Sequence, residues 1–225
     1  MTARPQLVAA KAMPQATYGS QIIGFGKKAA KGLRTKILRT LWGSSRALRC
    51  PEIVLTLIFP GHRLDPIIAS NYVTLTDARR VLNRNPGLRL QVERIAALRR
   101  QNRCKTTPGP VGRLFEVLED CNATLLPGLR IRAATGQTFS LLEQETPCCK
   151  HMIRDLLRAA QWSKLRARVE GEENTGAPRS DYIGITDSID VHATTALLRE
   201  KVAPEIPHLR KSLKDVRENG PWKQS

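Results

Sequence analysis

Cys148, Cys149 and His151 are the first residues whose types and spacing invite a chemical reading. Thiolate and imidazole together could ligate zinc, but structural zinc sites use two ligand pairs spaced two to four residues apart. Adjacent cysteines with no second pair do not supply that pattern. A cysteine nucleophile activated by His151 would need a third group to orient the imidazole, and none is marked in the sequence. Asp181, Asp187 and Asp190, with His192 close by, could hold Mg²⁺. The same acids fit the start of a helix near Val191, where Ser188 or Asp190 caps free amides. "GFGKKAAKG" (residues 24–32) has glycines and lysines but lacks the phosphate-loop spacing. The residues therefore assign no catalytic group, no metal and no cofactor. An enzyme built on Cys148 and His151, or on the three aspartates, is the least favoured of three readings.

The charge is more informative. The chain has 225 residues, a net charge of +17 and a pI near 10.4, which points to a polyanionic partner. Ten of the cations fall in the first 51 residues, and the first acid is Glu52. Lys27, Lys28, Lys31, Arg34, Lys36, Arg39, Arg46 and Arg49 are the candidate nucleic-acid-binding residues. They would lie along RNA or DNA backbone without reading sequence. With 4% aromatic residues, stacking on single-stranded bases is a weaker expectation.

Five irregularly spaced cysteines and no convincing secretory signal predict reduced thiols in a nuclear or cytoplasmic protein, not a secreted one. No apolar run approaches the length of a membrane span, so no membrane partner is expected.

These side chains need elements to position them, and the periodicity is mainly helical. The expected fold class is mainly α, with helical bundle-like segments and one small β-hairpin. Residues 7–23 have roughly helical apolar spacing, interrupted at Pro14 and Gly19. "KKAAKGLRTKILRTLW" places Leu33, Ile37, Leu38 and Leu41 on one stripe, with cations over the rest. A short helix is expected in "PEIVLTLIF", then a turn at 60–66. Asp65 caps the next helix, with Pro66 at its first position, through about Leu82. "NPG" (residues 85–87) separates it from another helix. "KTTPGPVG" at 105–112 is the expected linker between regions 1–104 and 113–225. Beyond it, residues 111–126 read as helix and 129–142 as a hairpin turning at Thr135-Gly136. Met152, Ile153, Leu156, Leu157, Ala160 and Leu165 mark a long helix. Two short helices are expected to close the chain.

The segment "VAAKAMPQATYGSQIIGFGKKAAKGLRTKILRTLWG" resembles the stretch after the palm in retrotransposon-type reverse transcriptases, RNA-directed DNA polymerases of mobile elements. Pro14, Tyr18 and Gly19 match its "P…YG" pattern, and residues 28–41 match a basic thumb helix. "RCPEIVLTLIFPGHRLDP" and the later helices and hairpin are similar to the continuation through the connection. The nearest likeness is to mobile-element polyproteins of dinoflagellate type. The resemblance implies a thumb-like region at 1–104 and a connection region at 113–225. It also implies that the palm and its paired aspartates would lie before Met1, since no such box is present here. The expectation is a non-catalytic fragment that binds RNA or DNA backbone. The alternative is a helical protein-interaction module with an acidic partner.

Overall fold

Asp65-Pro66 starts the helix around which the other elements are arranged. In the computed structural model, Asp65 is extended (φ −87°, ψ 117°). Its Oδ1 accepts hydrogen bonds from the amides of Ile67 (2.9 Å) and Ile68 (3.5 Å). Such a cap stabilises a helix by about 1 kcal/mol. Pro66 follows at the first position, where its missing N–H costs no hydrogen bond.

The structure describes residues 3–42, 55, 61–101, 107–142 and 146–170. In order, the helices are α1 (Ala3–Leu7), a π-helical turn (Val8–Ala12), α2 (Met13–Thr17), α3 (Ser20–Ile23) and α4 (Lys27–Trp42). Then come α5 (Gly61–Leu64), α6 (Pro66–Arg84), α7 (Pro86–Arg100) and α8 (Gly109–Asp120). Strands β1 (Thr124–Leu126), β2 (Arg130–Arg132) and β3 (Thr138–Ser140) precede α9 (Thr146–Glu170). The fold is mainly α with a small antiparallel sheet.

α6 packs against α2, α3, α4, α5, α7, α8 and α9, because apolar residues occupy more than one of its faces. Ile68, Leu75 and Leu82 enter a large core with Val92 and Ala96 of α7, Leu114, Val117 and Leu118 of α8, the sheet, and α9. Ala69 enters a second core with Val8, Met13, Ile37, Leu38, Leu55 and Leu64. A fully buried Leu or Ile such as Leu75 or Ile153 contributes about 1.5–3 kcal/mol of transfer free energy. The large core takes residues from both sides of 105–112, so the apolar interior is continuous across the expected linker. Helical structure resumes there at Gly109.

Several sequence expectations need correction. Helical geometry passes through Pro14, because the preceding π turn widens the backbone where a normal amide donor is absent. The break comes at the Tyr18-Gly19 turn, where Gly19 has φ +76°. Residues 61–64 form a helical turn. The helix expected over 111–126 stops at Asp120. There Asn122 adopts φ +50°, Ala123 donates to Leu118 O (2.8 Å) and Asn122 to Glu119 O (3.0 Å). This is a Schellman closure, with Ala123 and Leu118 both buried. The chain is thereby released into β1, so the expected hairpin becomes the second half of a three-stranded meander, order β1-β2-β3. Arg130 faces Ser140 and Ile131 faces Phe139 across the β2–β3 pair. At its turn, Gly136 (φ +84°) donates to Ala133 O, while Ala133 donates to Gln137 O, both at 2.9 Å. That is a three-residue loop with glycine in the left-handed position. Residues 51–54 and 56–60 of the expected short helix, and both expected closing helices, lie outside the described residues.

Candidate nucleic-acid interface

α4 is the candidate surface, and its own periodicity orients it. Ala30, Ile37 and Leu38 are buried and Leu33 and Leu41 half-buried. With Arg34 they follow a three-and-four-residue spacing that seats one stripe on the second core. Lys28, Lys31, Lys36 and Arg39 are exposed. From Lys28 to Arg39 the helix rises about 16 Å, and no acidic residue occupies its first turn. Phosphate near that turn would also meet the positive end of the helix dipole.

Arg34 is the exception among the predicted residues whose side chains are described. Its Nη2 lies 2.6 Å from Oδ2 of Asp65, with the Arg34 side chain 13% exposed and Asp65 fully buried. The cap of α6 and the anchor of α4 are thus one carboxylate. Burial pushes the Asp65 carboxyl up, and the Arg34 charge and the two amides only partly counter it. Arg34 belongs to the interior rather than to the outer cationic face. The signal was in the sequence: position 34 stands three and four residues before Ile37 and Leu38, squarely on the apolar stripe. Lys27 is the first residue of α4. Arg46 and Arg49 lie outside the described residues.

A second basic stretch was not singled out from the sequence. Residues 79–100 contain seven arginines against one glutamate. The fold uses several of them internally. Arg89 donates to Leu82 O (2.7 Å) and Asn83 O (3.2 Å), closing the C-terminal end of α6. Arg99 pairs with Glu119 and lies over the Phe115 ring at 4.7 Å. Arg100 reaches Leu125 O at 3.5 Å, and Glu93 accepts from the Gly128 amide at 3.0 Å, which holds α7 against the sheet. Arg84, Arg94, Arg130 and Arg132 are exposed.

Of the residues considered for catalysis, His151 is the one whose side chain the structure describes. His151 Nδ1 lies 2.7 Å from Asp155 Oδ2, one turn further along α9 and in solvent. Cys148 and Cys149 sit in the first turn of that helix. Asp181, Asp187, Asp190 and His192 lie outside the described residues. Among the described residues no group of three or more His, Cys, Asp or Glu side chains could hold a metal. Cys121 is buried, and burial pushes its thiol up to about 12, which disfavours the nucleophilic thiolate. Among the described residues no helix is long and apolar enough to cross a membrane.

No protein-family model, curated protein or solved structure matches this chain.

Proposed function

We propose that this chain is a non-catalytic, helical nucleic-acid-binding segment that lies along RNA or DNA backbone through the outer face of α4, in the nucleus or cytoplasm. One observation carries the reading: Lys28, Lys31, Lys36 and Arg39 stand exposed on a helix whose opposite face is seated in a core. Nothing acidic occurs before Glu52 to neutralise them. The likeness to the post-palm region of retroelement reverse transcriptases favours a polynucleotide over an acidic protein as the polyanion.

Backbone binding is driven by counterion release and is therefore steep in salt. With four phosphates met, log K on duplex DNA falls with log salt at a slope of about −3.6. Fluorescence anisotropy with a labelled duplex of scrambled sequence, titrated over a range of salt, measures this. A flat response, or tight binding to an acidic polypeptide with indifference to nucleic acid, overturns the reading in favour of a protein-interaction module.

A further inference from the structure

The turn between α2 and α3 holds an aromatic ring outward, nine positions before the first residue of the basic helix. Tyr18 is 89% exposed, Ile23 87% and Ile22 51%. A single apolar side chain in solvent needs no explanation. Here three fall within six residues, and the turn that carries them is firmly seated. Thr17 and Ser20, on either side of Tyr18 and Gly19, are buried. Thr17 Oγ1 donates to Met13 O at 2.9 Å. Tyr18 (φ −59°, ψ 129°) and Gly19 (φ +76°, ψ −6°) have the dihedrals of a type II turn, which glycine permits at its second central position. The backbone that projects the ring is thus already ordered, so binding need not order it.

Charge decides what such a ring would meet. Tyr18 and the two isoleucines lie inside the acid-free segment, and Lys28 stands only five positions after Ile23. That is at most about 17 Å of chain, a span of a few nucleotides. A strand whose phosphates follow Lys28 and Lys31 would bring its neighbouring bases to this turn. A duplex keeps its bases stacked on one another, whereas an unpaired base has a free π-face. Building on the backbone-binding reading above, we propose that Tyr18, flanked by Ile22 and Ile23, stacks on an unpaired nucleobase and gives α4 a preference for single-stranded segments.

The test uses the full chain and a short oligothymidylate carrying one fluorescent purine analogue, with a duplex of equal length as the control. Tyr18→Ala is expected to weaken single-strand binding by roughly fivefold to a hundredfold. It should also relieve the quenching of the analogue while leaving duplex affinity and thermal melting unchanged. Tyr18→Phe should bind like the native chain, because the ring face is kept. Unchanged single-strand affinity in Tyr18→Ala overturns the stacking proposal, as does an equal loss on both nucleic acids. So does a loss confined to anionic phospholipid vesicles, which would make the turn a membrane contact. If the native chain binds the duplex with steep salt dependence and Tyr18→Ala changes nothing, stacking alone fails. If the native chain binds neither nucleic acid, the backbone reading fails with it.

Discussion

Arg34 Nη2 and Asp65 Oδ2 lie 2.6 Å apart beneath the basic helix, while the other oxygen of the same carboxylate caps α6. Removing one member of such a pair strands the other in the interior, at a cost of about 3–5 kcal/mol. Arg34→Met and Asp65→Ala are both expected to fall in that range by urea denaturation, Asp65→Ala with the lost cap added. The double variant Arg34→Met/Asp65→Asn removes both charges and keeps a capping oxygen. It should recover most of the loss, and the coupling energy is read from the double-mutant cycle completed by the single variants Arg34→Met and Asp65→Asn. Additive losses would mean that the two groups do not interact.

The same relationship separates two kinds of basic residue on α4. Arg39→Glu should leave thermal stability within about 0.5 kcal/mol of native, as for other surface substitutions. It should weaken duplex binding and make the log K–log salt slope shallower by roughly one unit per lost phosphate contact. Arg34→Glu should instead lower the melting temperature, since it puts a second carboxylate beside buried Asp65. Salt-titrated anisotropy and thermal melting on the two variants distinguish the roles.

Two helical glycines should respond to alanine with opposite signs. A Cβ on Gly112 would sit 1.5 Å from the Thr107 carbonyl oxygen, so the lead-in to α8 would have to move. Gly112→Ala is expected to destabilise by at least about 1–3 kcal/mol. Gly32 has open space at its Cβ position and lies on the exposed side of α4. Gly32→Ala should stabilise by about 0.5–1 kcal/mol through backbone entropy alone. Thermal melts of the two variants check both signs.

His62 gives a pH dependence with a defined direction. It is half-buried, with the Tyr72 ring at 5.2 Å, and burial lowers its pKa from 6.5 to about 4, aided by the Arg154 and Arg63 charges. The unfolded chain therefore takes up a proton from about pH 6.5 downward, and the folded chain only near pH 4. The stability tied to neutral His62 is full above pH 6.5 and is lost as pH falls towards 4. His62→Phe keeps a ring beside Tyr72 and should flatten this part of the profile. Urea midpoints of the native chain and the variant across that window measure the difference.

Local rules written in the sequence settled much of the helical framework. Asp65-Pro66 marked the start of α6, because a capping side chain and a proline act on the adjacent turn, and the Asn-Pro-Gly run at 85–87 marked the boundary with α7. The apolar stripe of α9 and the alternation of Leu129, Ile131, Phe139 and Leu141 named their buried faces, because side-chain direction follows backbone period. The left-handed Asn122 that ends α8 was less legible, since asparagine only permits that conformation and its neighbours decide whether it is used.

Which cations remain available at the surface was a tertiary matter. Composition grouped Arg34 with Lys31 and Arg39, yet helix packing brought Asp65, thirty-one positions away, against its guanidinium. Arg89 and Arg99 were likewise drawn to α6 carbonyls and to Glu119. Residue order was enough for most of the helical segments, their apolar faces and the acid-free N-terminal charge. The tertiary structure alone decided which charges were neutralised inside and that Tyr18 stands in solvent. The reason is that backbone preference acts over neighbouring residues, whereas an ion pair or an exposed ring depends on what distant segments of the chain bring alongside.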